Sequence, residues 1–381
     1  MKVGFYCDGW PTFAPMHGPA RYVQTLARGL VARGVEVHVV TAHGEDRDLV
    51  EDGYHVHARR APRARVVSRV QPGIGESFHL WRAIERLHRT HRFDVVELTN
   101  VEGAGFFTAL LGRMPTLVRV HTTAFDAARL ALGKAELELG YARLERWTAH
   151  RATALVTHTR THLAQAAADY GLPEARFHLV PHGIAPTPPD RAVTRRPAQV
   201  LSVGSATPRK GVGRFLEAAE RITAELPDAR FVWAGKDGPT SPSGTTWAEH
   251  ARAKHPSLDG RLAFQGGLSD GGIASLYAES GVYLCTSIYE SFGLTMVEAM
   301  MADLPVVAPR TAAMAEIITD GETGWLYDPD DPDDLVRQVR AALGSPAERE
   351  RVARAARRMA EAEYSAATMT SRMLDLYRGL L

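Results

Sequence analysis

The residues whose types and spacing could do chemistry are two carboxylates and a lysine. Glu290 and Glu298 stand eight positions apart within residues 287–305, SIYESFGLTMVEAMMADLP. Between them, Ser291-Phe292-Gly293-Leu294 reads as a turn. An apolar helical run follows and stops at Pro305, which cannot continue a helix. The first turn of a helix offers unpaired N–H groups and a partial positive charge, so it suits a phosphate. Gly293 lets the backbone approach a ligand closely. A Glu before the turn and a Glu inside the helix can each accept hydrogen bonds from hydroxyl groups. The combination suits an anionic ligand rich in hydroxyls, a nucleotide sugar. Thr295-x-x-Glu298 also has the spacing of a capping box, which would leave Glu298 a purely structural role.

Lys210 is one of only five lysines among 45 basic residues. It lies in Ser205-Ala206-Thr207-Pro208-Arg209-Lys210-Gly211, just ahead of a helical pattern over 212–225. The family resemblance given below implies that this cation lies beside a departing diphosphate, where it would offset the growing negative charge and lower the barrier. Arg209 supplies a second cation next to it.

These residues need elements to hold them. Residues 281–284 (GVYL) and 305–308 (PVVA) read as buried strands on either side of the Glu-bearing stretch, and 199–204 (QVLSVG) as the strand before Lys210. The first half repeats the plan: strand 2–7, a Gly- and Pro-punctuated loop 8–18, helix 19–33 ended by Gly34, strand 35–41. Strand, helix, strand in succession predicts a parallel sheet. Ligands in such sheets sit outside the carboxyl ends of the strands. That rule makes the 8–18 loop a ligand-binding candidate; the family resemblance given below implies Gly18 on the phosphate side, with Asp8, Trp10 and His17 as speculative acceptor contacts. His121 closes the strand pattern VRVH at a predicted cleft edge. His158 and His162 have helical spacing, but Thr159 stands where a zinc protease needs Glu, so no metal is assigned there. Residues 185–197, with four prolines and no periodicity, read as a linker.

Composition bounds the rest. The 381 residues, 45% hydrophobic and 23% charged, fit a soluble globular chain of two domains. Residues 1–189 hold 23 Lys and Arg against 18 Asp and Glu, and residues 190–381 hold 22 against 26. A nucleic-acid binder should be far more basic. The run Arg59, Arg60, Arg63, Arg65, Arg69 reads as a solvated face, with docking of an anionic acceptor or membrane surface as the sharper option. No stretch is long and apolar enough for a transmembrane helix, and the N-terminus enters a strand directly, with no signal peptide. Two cysteines, Cys7 and Cys285, fit a reducing cytosol. The expected location is cytoplasmic.

The Glu290-x7-Glu298 pattern around SFGLTMVEAM resembles the signature of retaining glycosyltransferases of family 4. The likeness runs over nearly the whole chain and is strongest over 200–328. It implies a GT-B architecture: α/β, with two Rossmann-like domains facing across a cleft and a C-terminal helix crossing back to the first. The corresponding boundaries are 1–184 for an acceptor domain, 197–362 for a nucleotide-sugar domain and 363–381 for the returning helix. The resemblance implies transfer from a nucleoside diphosphate sugar, UDP or GDP, to a small-molecule or lipid-linked hydroxyl acceptor, with retained configuration and without a metal or other cofactor. It assigns His121 to the donor sugar, Glu290 to the sugar hydroxyls, Glu298 to the ribose, and Lys210 with Arg209 to the diphosphate. The amides of Phe292, Gly293 and Leu294 join the donor site, and Gly267 and Leu268 lie by the base. His17 stands where the family has the first of two glycines, Ser205 where it has Arg, His182 where it has Asn, and Ala312-Ala313 where it often has two glycines. A nucleotide-sugar epimerase on the same fold and a catalytically weak nucleotide-sugar binder are the alternatives. Peripheral membrane contact is left open.

Overall fold

A computed structural model describes every residue except 14–17, 61–70 and 131–134. The described chain forms two compact units, residues 1–183 with 365–381, and residues 184–364.

The first unit runs β1 (Lys2–Tyr6), α1 (Gly18–Val31), β2 (Glu36–His43), β3 (Arg47–Glu51), β4 (Tyr54–Arg60), α2 (Ile74–His91), β5 (Val95–Thr99), α3 (Phe106–Leu111), β6 (Thr116–Arg119), α4 (Ala124–Arg129), α5 (Ala135–Arg151), β7 (Ala154–Thr157), α6 (Arg160–Tyr170) and β8 (Phe177–Leu179). Its sheet has the order β3-β4-β2-β1-β5-β6-β7-β8. Strands β1, β5 and β7 are buried along nearly their whole length, as strands covered by helices on both faces must be. All pairings are parallel except β3 with β4. That hairpin was not expected. Its turn is Asp52-Gly53, with φ of 46° and 84°, the residue pair that a tight hairpin prefers.

The second unit runs β9 (Arg196–Val203), α7 (Val212–Glu225), β10 (Arg230–Ala234), α8 (Trp247–Lys254), β11 (Leu262–Phe264), α9 (Asp270–Glu279), β12 (Ser280–Leu284), α10 (Leu294–Met301), β13 (Val306–Pro309), α11 (Ala312–Ile317), β14 (Trp325–Tyr327), α12 (Pro332–Leu343) and α13 (Pro346–Tyr364). Its sheet order, β11-β10-β9-β12-β13-β14, is the doubly wound Rossmann order. The order reverses between β9 and β12. Helix α13 was not foreseen because its sequence is rich in Arg, Glu and Ala. Its small face does the packing: Ala356 and Ala360 are fully buried in one cluster with Met296 and Met300 of α10.

The chain then returns to the first unit as α14 (Ala366–Gly379). Met369, Met373 and Tyr377 enter the core formed by β1, β2 and α1. A Cβ on Gly29 of α1 would fall 2.2 Å from Thr370 Oγ1, so the two helices touch where no side chain fits. At the centre of this unit, buried Glu97 accepts hydrogen bonds from Tyr22 Oη (2.6 Å) and from the hydroxyl of Tyr377.

Candidate active site

The switch point of the second sheet falls between the loops that follow β9 and β12, where the crevice of a doubly wound sheet opens. The loop after β9 carries Arg209 and Lys210, and the loop after β12 carries Glu290. The two are joined by backbone and side-chain bonds. Ile288 N–H donates to Arg209 O (2.9 Å), and Thr286 Oγ1 donates to Lys210 O (3.0 Å). Gly211 makes this approach feasible: its φ is 73°, and a Cβ there would lie 1.8 Å from Thr286 O.

Lys210 Nζ donates to Glu290 Oε1 at 2.5 Å, and Ser287 Oγ donates to the same oxygen at 2.8 Å. Burial alone would raise the Glu290 carboxyl, but Lys210 and then Arg209 outweigh it and hold the group below the usual carboxylate range. Arg209 Nη1 donates to Tyr289 O (3.1 Å) and stands 3.9 Å from Glu290 Oε1. Ser205, by contrast, is exposed. Thus two cations and one carboxylate converge at the carboxyl ends of β9 and β12.

Helix α10 starts from Gly293, which is left-handed (φ 88°, ψ 53°) and has no side-chain cap. The capping-box reading of Glu298 therefore fails, because Thr295 lies inside the helix. Its hydroxyl instead meets Tyr283 Oη at 2.8 Å. Glu298 is half-buried, and the hydroxyl of Tyr277 on α9, with one proton to share, stands 3.0 Å from both Glu298 Oε2 and Thr295 O. Tyr277 was not foreseen; a lone Tyr at the end of a helix carries no motif. Phe292 is buried edge-on against Tyr364, and Leu294 is half-buried at the helix start. Gly267 and Leu268 are exposed in the loop after β11, at the same edge of the sheet.

In the first unit the order reverses between β1 and β5. A cavity of about 130 Å³ opens there, lined by Asp8, Arg59, Arg60, Glu76, His79 and Glu102 among others. Asp8 is thus at a pocket. Trp10 is not, and its assignment to an acceptor is corrected. It is fully buried, edge-on to Tyr54, with its indole N–H donating to Glu51 Oε2 (2.9 Å). The loop turns this large apolar ring into the core, where its burial is worth more than a surface contact. Gly18 opens α1. His17, Arg63, Arg65 and Arg69 lie outside the described residues.

His121 follows β6 and is buried. Its ring stacks on His182 (5.5 Å), His182 stacks on His158 (4.6 Å), and His158 on His162 (4.5 Å). Fully buried Arg119 lies over the Tyr22 ring (4.4 Å) and reaches His182 Nδ1 (3.3 Å). Burial pushes His158 and His182 well below the ordinary imidazole range, so both rings are neutral at neutral pH. The His158–His162 spacing is visible in the sequence, but nothing there announces that His121 and His182, from separate segments, stack with that pair.

The two sheets, each doubly wound, and the cation–carboxylate site at the second switch point define a GT-B protein. Residues 188–359 match the family described as "Glycosyl transferases group 1", and residues 16–187 match "Glycosyltransferase Family 4". The chain belongs to the family 4 glycosyltransferases and is an enzyme of the kind that draws on nucleotide-sugar donors. Among its relatives are the MMP alpha-(1->4)-mannosyltransferase of Mycolicibacterium hassiacum, 26% identical over 79% of this chain and 74% of that one. The alpha-D-kanosaminyltransferase of Streptomyces kanamyceticus is 25% identical over 93% and 98%. Solved structures with the same fold include the sucrose-phosphate synthase of Thermosynechococcus elongatus, with a TM-score of 0.80 at 20% identity over 100% of this chain and 98% of that one. HepE of Anabaena, solved with UDP and glucose, gives 0.72 at 16% identity over the full length of both.

Proposed function

We propose that the protein is a retaining hexosyltransferase that moves a sugar from a nucleoside diphosphate sugar, UDP or GDP, to a hydroxyl of a small-molecule or lipid-linked acceptor. The convergence of Lys210, Arg209 and Glu290 at the switch point of the second sheet carries this reading. The bond from the anomeric carbon to the diphosphate oxygen breaks, and the acceptor oxygen bonds to the same face of that carbon. The leaving phosphate takes the acceptor's proton. Lys210 and Arg209 neutralise the charge that builds on the diphosphate, aided by the helix-start amides of Phe292, Gly293 and Leu294. Glu290, kept ionised by Lys210, holds sugar hydroxyls, and Glu298, oriented by Tyr277, holds the ribose. Gly267 and Leu268 flank the base, and Gly18 and His121 serve the donor phosphate and sugar. Because side-chain cations do the neutralising, the reaction proceeds without a metal.

Acceptor recognition is assigned to the pocket at Asp8. One relative is named a kanosaminyltransferase, and HepE, which has this fold, was solved in complex with UDP and glucose; both are consistent with this reading. No helix among the described residues is long and apolar enough to cross a membrane. A cytoplasmic site of action is part of the proposal. The test is a melting-temperature panel of nucleotide sugars, followed by turnover of the best hit with and without chelator. A stabilising donor, chelator-resistant transfer and a retained anomer by NMR are expected. Failure of every nucleoside diphosphate to stabilise the protein would overturn the donor assignment.

A further inference from the structure

A second constellation lies in the first unit, away from its switch-point pocket. His38 on β2 and His57 on β4 point to the same face of the sheet, and His91 ends α2, which covers that face. His38 and His57 are buried and His91 half-buried. One ring nitrogen from each of the three lies within 4.8 Å of the others.

The hydrogen bonds fix which nitrogens carry protons. His38 Nε2 is 2.9 Å from Glu36 Oε1, and His57 Nδ1 is 2.7 Å from Asp48 Oδ1. An ionised carboxylate only accepts, so each of these ring nitrogens is a donor. Arg59 Nη2 stands 3.4 Å from the same His57 nitrogen, but that guanidinium is itself bonded to Asp48 (2.7 Å), and the nearer carboxylate takes the imidazole proton. The other nitrogens, His38 Nδ1 and His57 Nε2, face each other at 2.9 Å. In neutral rings both are then bare lone pairs. Two lone pairs at that distance repel unless a cation lies between or beside them. The carboxyl end of α2, where His91 sits, adds the partial negative charge of a helix terminus.

We propose that His38, His57 and His91 bind a divalent transition-metal ion, zinc foremost. Three neutral imidazoles suit zinc and its neighbours rather than magnesium or calcium. Carboxylates holding the far ring nitrogens are the usual support of metal-bound histidines. Here Glu36 and Asp48 supply it. A slight opening of the 2.9 Å contact lets an ion reach both nitrogens, and solvent fills the remaining position. Bound metal would tie β2, β4 and α2 together. This proposal does not depend on the transferase chemistry.

The test uses the full, untagged chain stripped with chelator. Calorimetry with Zn²⁺ should show one equivalent bound, and the melting temperature should rise with free Zn²⁺. Co²⁺ should give the visible absorption of a four-coordinate ion. His91→Ala should abolish the Co²⁺ spectrum, and Asp48→Asn should weaken Zn²⁺ about 10–100-fold through a residue that never touches the ion. Both substitutions fall at positions open enough to leave the fold intact, which circular dichroism checks. Binding equally tight in both variants would place the metal elsewhere and overturn the proposal. So would an absence of Zn²⁺ and Co²⁺ binding together with a single shared proton on the His38–His57 pair by NMR.

Discussion

Lys210 and Glu290 meet at 2.5 Å although they are 80 residues apart and follow different strands. The sheet order brings β9 and β12 side by side, so the two loops must share the crevice at the reversal. The pair holds the carboxylate ionised and the ammonium in place before any ligand arrives.

Replacing Lys210 should therefore do two things. Lys210→Met should lower kcat by about 100-fold or more, the scale seen when one charge-stabilising donor is lost. It should also shift the acid limb of the kcat/KM profile upward. In the wild type the Glu290 carboxyl is depressed, so its ionised form, and the stability it contributes, persist until pH falls through that lowered value. Without the lysine, burial dominates and protonation begins at higher pH. Steady-state kinetics from pH 4 to 8 check both points; an unmoved acid limb would separate Lys210 from Glu290.

Gly211→Ala should cost about 1–3 kcal/mol. The new methyl would need left-handed backbone and would press on Thr286 O. A lowered melting temperature with weakened diphosphate binding is expected, since the residue after Lys210 would have to move. Gly238→Ala, in open space at an ordinary φ, is the control and should be near neutral.

Tyr277→Phe removes the hydroxyl that reaches Glu298 and leaves the ring in the core. Loss of one such bond, about 1 kcal/mol, should raise KM for the nucleotide sugar roughly five-fold with little change in kcat. Pyrophosphate, which has no ribose, should inhibit the variant and the wild type equally. Equal weakening of both ligands would remove the ribose from Glu298.

Buried Glu145 gives a stability prediction. Desolvation raises its carboxyl to about 8, although Ala124 N–H (3.1 Å) and Tyr170 Oη (3.0 Å) donate to it. The folded state then holds a proton that the unfolded chain has already released above the ordinary Glu range. Stability must fall as pH rises from about 5 towards 8. Glu145→Gln keeps an oxygen for both donors and has no proton to lose, so its melting temperature should exceed that of the wild type at pH 9 and should not at pH 5.

Much of the cation–carboxylate cluster at the second switch point was legible because its parts are local in sequence. Lys210-Gly211 precedes a helix, Glu290 precedes a glycine-started helix, and each follows an apolar strand. The strand-helix alternation likewise announced parallel sheets. What remained illegible was assembled by tertiary contact. Tyr277 meets Glu298 only where α9 passes it, and His121 and His182 reach the His158–His162 pair from segments far away in sequence. Trp10 misled because an aromatic in a loop beside Asp8 looks like a ligand contact until the loop's path into the core is known. Helix α13 escaped notice because alanines rather than large apolar residues bury its face. The Asp52-Gly53 hairpin was readable and was missed beside a dominant parallel pattern.

The placement of α14 imposes an order on biogenesis. Tyr377 and Thr370 complete the first unit's interior, yet they are made only after all of residues 184–364. On the ribosome the first unit must wait, with the α1 face around Gly29 and the buried Glu97 lacking their last partners, while the second is synthesised and can fold ahead of it. Domain by domain, the part begun first is sealed last.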